Sequence, residues 1–366
     1  MKPNPWKPLR LKDLPFRDQL LAELEAIGDS LRKGVKLNYL IYGPQGIGKT
    51  SVLLSLMERL NEHGEVNHVR AIYLNPEWEL LTPSDFEALL LDLLSRFNIR
   101  LDPYGIRRMI SEINRGRLDG ALQLMDHLLK ESDIYLLLLI DDLPALTRLS
   151  RYSDVRTTPQ RFFDAIVESD NICMIASAVT FQSLKRALGK VFPFITLREL
   201  SPLDVGEVKA LLEDFIGGSF EVTDEAAYEA WRITGGLPLY IHILGLELTR
   251  RSVKVITAEH IRRVVRESAI NPWGLFNLQM RLLHLKFTPK VGSGISLRIL
   301  REIVRGEYTI SELAKRLGRH YQYIATYLRR LREAGLPIEI KDGIPKIKDE
   351  VYALWLRNAS PCNITF

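Results

Sequence analysis

The stretch Leu37-Asn38-Tyr39-Leu40-Ile41-Tyr42-Gly43-Pro44-Gln45-Gly46-Ile47-Gly48-Lys49-Thr50-Ser51 decides how this chain is read. Its first six residues form an apolar strand. Gly43 to Thr50 fit G-x-x-x-x-G-K-[ST], and a helix-forming run continues to Glu62. A strand that feeds a glycine-rich turn and then opens a helix is the context that makes this pattern a phosphate-binding loop. Each residue has a physical task. The glycines let backbone N–H groups turn inward around an anion. The helix points its positive end at the same place. Lys49 supplies a full charge to β- and γ-phosphates, and Thr50 offers a hydroxyl oxygen to Mg²⁺. The cup draws on Gly43, Pro44, Gln45, Gly46, Ile47, Gly48, Lys49, Thr50 and Ser51. In a turn that merely capped a helix, Lys49 would place its charge at the unfavourable end of the dipole.

Such a loop requires a carboxylate at the end of a second buried strand, expected beside the first. Ile134-Tyr135-Leu136-Leu137-Leu138-Leu139-Ile140-Asp141-Asp142 supplies it. The expectation is that Asp141 holds Mg²⁺ through water, and that Asp142 orients or deprotonates an attacking water.

The surrounding pattern alternates strands and helices. Helical spacing runs from Phe16 to Lys33. Strands are expected at Val69–Leu74, Asn171–Ala178 and Phe194–Leu197. Helices are expected near Ser84–Phe97, Leu118–Glu131, Gln160–Glu168 and Phe181–Leu188. Arg100–Gly120 reads as polar and irregular. This alternation predicts an α/β fold, a parallel sheet with helices on both faces. After Leu200 the strands stop, and four helical patterns predict a separate small helical bundle. The division expected is residues 1–200, a P-loop core; 201–270, the helical bundle; and 271–366, three helices and a hairpin.

Composition narrows the function classes. The chain has 366 residues with 46% hydrophobic and 26% charged, a globular balance. Its two cysteines, Cys173 and Cys362, exclude a disulfide scaffold or a cysteine zinc site and suggest a reducing compartment. No apolar run is long enough to span a bilayer. The first sixteen residues hold four prolines and several charges where a signal peptide needs an apolar segment. A cytoplasmic protein with no membrane partner is the expectation. Residues 291–366 hold 13 basic and 8 acidic side chains, an excess equal to the +5 of the whole chain. The preceding 290 residues are therefore neutral, and an acidic partner is expected for the C-terminal part.

These residues resemble the archaeal ATPase family, a branch of the STAND NTPases related to AAA+ and origin-recognition ATPases. Gly43–Thr50 and Leu136–Asp142 match its Walker A and Walker B motifs. Thr234-Gly235-Gly236-Leu237-Pro238-Leu239-Tyr240 matches its T-G-G-x-P motif, and Leu14-Pro15-Phe16-Arg17-Asp18 is similar to its N-terminal box. The resemblance implies ATP or ADP with Mg²⁺ as cofactors. It makes the bundle at 201–270 a lid, with Leu14 and Pro15 near the adenine and Leu237 and Pro238 against the nucleotide. It also implies a γ-phosphate sensor at Ser177, beside Lys49 and Asp142 in catalysis. Two departures stand out. The family's Walker B motif usually ends Asp-Glu, whereas this chain has Asp141-Asp142. Gly189-Lys190 replaces the usual Gly-Arg. Arg148, Arg151 and Arg186 are the remaining arginine-finger candidates. No guanine-reading Asn-Lys-x-Asp motif occurs.

Ser296–Arg357 reads as a winged helix-turn-helix. Thr309 and Glu312 form a capping box before a helix that Gly318 ends. The next helix would bury Ile324, Leu328 and Leu331, and residues 337–347 would form the wing. In such a fold the third helix enters the DNA major groove with its N-terminal residues foremost. His320, Tyr321, Gln322 and Tyr323 would approach double-stranded DNA bases, with Lys315, Arg316, Arg319, Arg329, Arg330, Lys341 and Lys346 near phosphates. Two functions follow. One is a nucleotide-driven switch, an ATPase coupled to DNA binding or self-association. The other is a nucleotide-binding scaffold with little hydrolysis whose winged helix docks a protein partner.

Overall fold

A computed structural model describes residues 16–62, 68–75, 103–146, 158–180, 188–216, 221–251, 254–287, 293–333 and 335–358. The expectations for Leu14, Pro15, Arg148, Arg151, Arg186, Cys362 and the helix near Ser84–Phe97 lie outside these residues, as does most of the helix from Phe181. The described residues fall into two compact units. One holds residues 16–43 and those from 48 to 200; the other holds 44–47 and those from 201 onward.

The first unit is built on five parallel strands: β1 (Asn38–Tyr42), β2 (Val69–Leu74), β3 (Tyr135–Ile140), β4 (Ile172–Ala178) and β5 (Ile195–Glu199). Their spatial order is β2-β3-β4-β1-β5. The carboxylate-bearing strand is thus not beside the strand that feeds the loop, a correction to the expected adjacency. Strand β4 lies between them, pairing Ile175 with both Tyr39 of β1 and Leu139 of β3. Helices α1 (Asp18–Arg32), α2 (Lys49–Glu62), α3 (Pro103–Asn114), α4 (Leu118–Glu131) and α5 (Pro159–Glu168) flank the sheet.

Strand β3 shows why its sequence is uniformly apolar rather than alternating: Leu136 to Ile140 are all at most 2% exposed. One face, with Leu136, Leu138 and Ile140, joins a core containing Met125 and Leu129 of α4 and Phe162, Phe163 and Ile166 of α5. On the other face α1 approaches closely. A Cβ on Gly28 would lie 2.9 Å from a Val69 methyl and 3.4 Å from one of Leu137. Helix α3 occupies part of the stretch read as irregular. It buries only Met109 and Ile113, so its apolar stripe is narrow beside its arginines.

The second unit contains α6 (Val205–Ile216), α7 (Asp224–Thr234), α8 (Pro238–Thr249), α9 (Ala258–Ile270), α10 (Leu275–Phe287), α11 (Ser293–Arg305), α12 (Ile310–Leu317), α13 (Tyr321–Glu333) and α14 (Glu350–Asn358). Residues 201–270, expected to be purely helical, include two short strands. A two-residue parallel pair, β6 (Glu221–Val222) with β7 (Val255–Ile256), braces the helices, and β8 (Ile338–Lys341) with β9 (Ile344–Ile347) forms an antiparallel hairpin. One continuous core runs from Leu203 to Leu356. The capping box closes at the start of α12: Glu312 N–H donates to Thr309 Oγ1 at 3.3 Å, and Thr309 N–H to Glu312 Oε2 at 2.7 Å. Gly318 ends that helix in the left-handed conformation, φ 61°. Ile324, Leu328 and Leu331 are fully buried.

Candidate functional site

Asp141 follows the last residue of β3 and is 7% exposed. Its two oxygens are divided between neighbours. Oδ2 accepts from Thr50 Oγ1 at 2.7 Å and from Tyr73 Oη at 2.9 Å. Oδ1 accepts from Ser177 Oγ and, at 3.1 Å, from Asp142 N–H. Four elements therefore converge on one carboxylate: α2 through Thr50, β2 through Tyr73, β4 through Ser177, and the turn after β3. Such donors replace the hydrogen bonds a buried carboxylate loses with water.

Sequence reasoning anticipated Thr50, Asp141 and Ser177 but missed Tyr73. The register pairs Tyr73 with Leu139, one strand over from the residues that lead to Asp141. A tyrosine near the end of a strand adjoining the Walker B strand is the signal that could have found it.

Asp142 adopts φ 50°, a left-handed conformation that aspartate tolerates better than most residues. Its N–H also donates to Ser177 Oγ at 3.0 Å, and its carbonyl accepts from Ala145 N–H at 2.7 Å. Ser177 is fully buried, and its hydroxyl ties the two aspartates together.

On the loop, Gly43 N–H donates to Ala178 O at 3.2 Å, fixing the end of β1 against β4. Lys49 Nζ donates to Gly43 O at 2.7 Å. Gly48 has φ 102°, and a Cβ built there would meet nothing within 4 Å among the described residues. Ile47 is fully buried, Ser51 is 8% exposed, and the buried Gln45 Oε1 accepts no hydrogen bond among the described residues. Gly189 and Lys190 are both exposed.

In the second unit, residues 44–47 meet the start of α8. Leu239 N–H donates to Gly46 O at 3.1 Å, and a Cβ on Gly46, φ 86°, would lie 2.9 Å from Leu239 Cβ. Helix α7 ends at Gly235 and Gly236, φ 61° and 66°. Gly236 is demanded by more than its dihedral: a Cβ would fall 2.2 Å from Leu203 O, while Leu203 N–H donates to Gly236 O at 2.9 Å. Leu237 then caps α8 with Pro238 at its first position. The residue that touches the loop backbone is Leu239, which the sequence reading quoted but gave no role.

The donor set suits a hard divalent cation. A hydroxyl and a carboxylate lie within 2.7 Å of each other, and Mg²⁺ favours one or two protein oxygens completed by water and phosphate. No group of three or more His, Cys, Asp or Glu placed to hold a metal occurs among the described residues.

Lys315, Arg319, His320, Tyr321, Gln322, Tyr323, Arg329 and Arg330 are all exposed. The Arg319 guanidinium lies 5.5 Å from the Tyr323 ring centre, and Tyr323 and Tyr327 rings are 4.7 Å apart. Two expected phosphate contacts are already ion-paired, Arg316 with Glu302 at 2.8 Å and Lys346 with Glu307 at 2.5 Å.

A glycine loop between strand and helix, on a five-stranded parallel sheet with a buried aspartate facing its threonine, defines an α/β P-loop NTPase fold. The chain belongs to the family of ATPase domains found predominantly in Archaea, whose model matches residues 21–244. It is similar in fold to the Walker-type ATPase PABY2304 of Pyrococcus abyssi, with TM-score 0.67, 18% identity, and 96% of this chain and 99% of that one covered. It is also similar to the Aeropyrum pernix ORC2 protein, solved as ADPNP–ADP complexes, with TM-score 0.58, 15% identity and 95% of each chain covered. No curated protein matches the chain. Among the described residues, no helix is long and apolar enough to cross a membrane.

Proposed function

We propose that the chain binds ATP or ADP with Mg²⁺ at Gly43–Ser51, hydrolyses ATP slowly, and uses the nucleotide state as a switch. The observation that carries this reading is the 2.7 Å bond from Thr50 to a buried Asp141 that Tyr73 and Ser177 also hold. The nucleotide complexes of the similarly folded ORC2 protein support it. Bound Mg²⁺ would polarise the phosphoryl oxygens and offset their charge. Thr50 would hold the cation directly and Asp141 through water. Lys49 would exchange the Gly43 carbonyl for β- and γ-phosphate oxygens. Asp142 would orient or deprotonate the attacking water, and Ser177 would sense the γ-phosphate. Because Ser177 also donates to Asp141, sensing would loosen its hold on that carboxylate.

The switch reading rests on two adjacent residues of α8. Leu239 N–H reaches the loop carbonyl of Gly46, while the hydroxyl of buried Tyr240 donates to Asp349 at 2.5 Å, next to α14. Movement of the loop would thus pull on the helix that closes the C-terminal core. Leu237 and Pro238 would contact the nucleotide from residues 201–270, the lid of a STAND-type ATPase. Residues 271–366 would be a winged-helix domain, with α13 presenting His320 to Tyr323 to double-stranded DNA. Docking of a protein partner by that domain, without efficient hydrolysis, is the second reading, favoured by Asp142 in the usual glutamate position.

The deciding experiment measures phosphate release and duplex binding on the full chain. Lys49→Ala should abolish release, and duplex affinity should fall steeply with salt. Unchanged nucleotide affinity in Lys49→Ala combined with Thr50→Ala would overturn the site. Salt-independent duplex affinity would overturn the DNA reading.

A further inference from the structure

Helix α11 carries Arg298, Arg301 and Arg305 at positions i, i+3 and i+7, which places them along one face. Together with Glu302, Arg316 and Leu317 they line a cavity of about 480 Å³ in the second unit. The sequence reading gave no role to any of the three. Four guanidinium groups thus surround a volume that holds one carboxylate among the described lining residues.

That carboxylate, Glu302, is shielded, its side chain 12% exposed, and it works as a bracket. It binds Arg305 at 2.7 Å and Arg316 at 2.8 Å. Arg316 is held again from the other side, its guanidinium 4.4 Å from the centre of the Tyr308 ring. Two of the four forks are therefore fixed in place by groups that are not themselves the ligand. Like charges a turn apart repel. Burial, with the nearby Arg305 charge as a second cause, lowers the pKa of Arg301 below the ordinary arginine value. A helix face of this composition is a poor choice for stability alone. It is a good one for an anion with several oxygens, because each guanidinium binds phosphate through two parallel N–H bonds where lysine would act as a point charge.

We propose that this cavity is a second anion site, taking a small molecule with two or more phosphoryl groups, either an inorganic polyphosphate or the phosphate tail of a nucleotide. Its size falls within the range of small-molecule sites, roughly 300–1,000 Å³. A DNA backbone is the less favoured ligand because all four arginines line a single concavity. None of the lining residues belongs to the loop at Gly43–Thr50.

Calorimetric titration of the full chain with tripolyphosphate tests it, with ATP, AMP and a short DNA duplex as parallel arms. Arg298→Gln is exposed and serves as the mild variant. Arg298→Gln combined with Arg301→Gln is the strong one, with the thermal midpoint as the control for folding. A binding event that survives Lys49→Ala, weakens about tenfold or more with each arginine removed and is absent with AMP supports the proposal. Equal affinity for tripolyphosphate and ATP assigns the phosphate chain alone as the recognised group; preference for ATP assigns a nucleotide. Tripolyphosphate affinity unchanged by Arg298→Gln in a folded protein overturns the proposal. So does weakening confined to the duplex arm, which would reassign these arginines to a nucleic-acid backbone.

Discussion

Gly236 and Gly48 separate two reasons for a glycine. Both have positive φ, but only Gly236 has a carbonyl oxygen 2.2 Å from where a Cβ would stand. Gly236→Ala should destabilise the protein by about 3 kcal/mol or more, because backbone must move as well as strain. Gly48→Ala meets none of the described atoms within 4 Å and should cost only the conformational penalty, about 1–2 kcal/mol. Urea denaturation of the two variants checks the order. Tyr73 belongs to this level too. Tyr73→Phe leaves Asp141 with Thr50 as the side-chain donor on Oδ2. Loss of such a supporting bond should raise the Mg²⁺ concentration for half-maximal phosphate release by about tenfold. Metal-free ATP affinity should not change. A variant with the parent Mg²⁺ dependence would remove Tyr73 from the site.

Helix ends carry the next set of consequences. Thr309→Ala breaks the box at the start of α12 and should cost about 1 kcal/mol. At the other kind of terminus, Lys36 Nζ reaches the last carbonyls of α5, donating to Val167 O at 3.1 Å and to Ile166 O and Ser169 O. Those carbonyls have no partner within the helix. Lys36→Met should therefore cost about 1–3 kcal/mol, more than an exposed lysine would. Chemical denaturation gives both values, and a Lys36→Met loss below that of Thr309→Ala would show that water replaces the cation. The box of α12 was readable from four residues. The Lys36 cap was not, because 130 residues separate it from Ile166. Helix α14 escaped the sequence reading for a related reason. Its fully buried Tyr352 and Trp355 are nearly continuous with other apolar residues and show no clear stripe until the facing elements are known.

The pH response is a property of the assembled core. His284 is 1% exposed, and its Nδ1 lies 2.9 Å from the Tyr352 hydroxyl. Burial, with the Arg301 charge second, pushes its imidazole down from 6.5 to about 4. Burial likewise lowers His242. In this window the unfolded chain binds the extra proton and the folded chain does not. Stability is therefore complete above pH 6.5 and declines as pH falls toward 4. His284 alone accounts for roughly 3 kcal/mol of that decline. Urea midpoints from pH 7 to 4 should trace the loss, and His284→Gln should flatten it. A midpoint independent of pH across this range in the parent protein would contradict neutral burial.

Local chemistry was legible in the chain. Gly43–Thr50, the Asp141-Asp142 ending and the box at Thr309 each depend on neighbours within a few residues, so composition and spacing announce them. Strand order and the place of Tyr73 against Asp141 were not. Leu136 to Ile140 are apolar on both faces, so nothing in their pattern says that β4 intervenes before β1 or that Tyr73 closes on the carboxylate. Parallel pairing joins segments through long crossovers, and backbone hydrogen bonds carry no side-chain signature. The convergence of Thr50, Tyr73 and Ser177 on one carboxylate exists only once the sheet has formed.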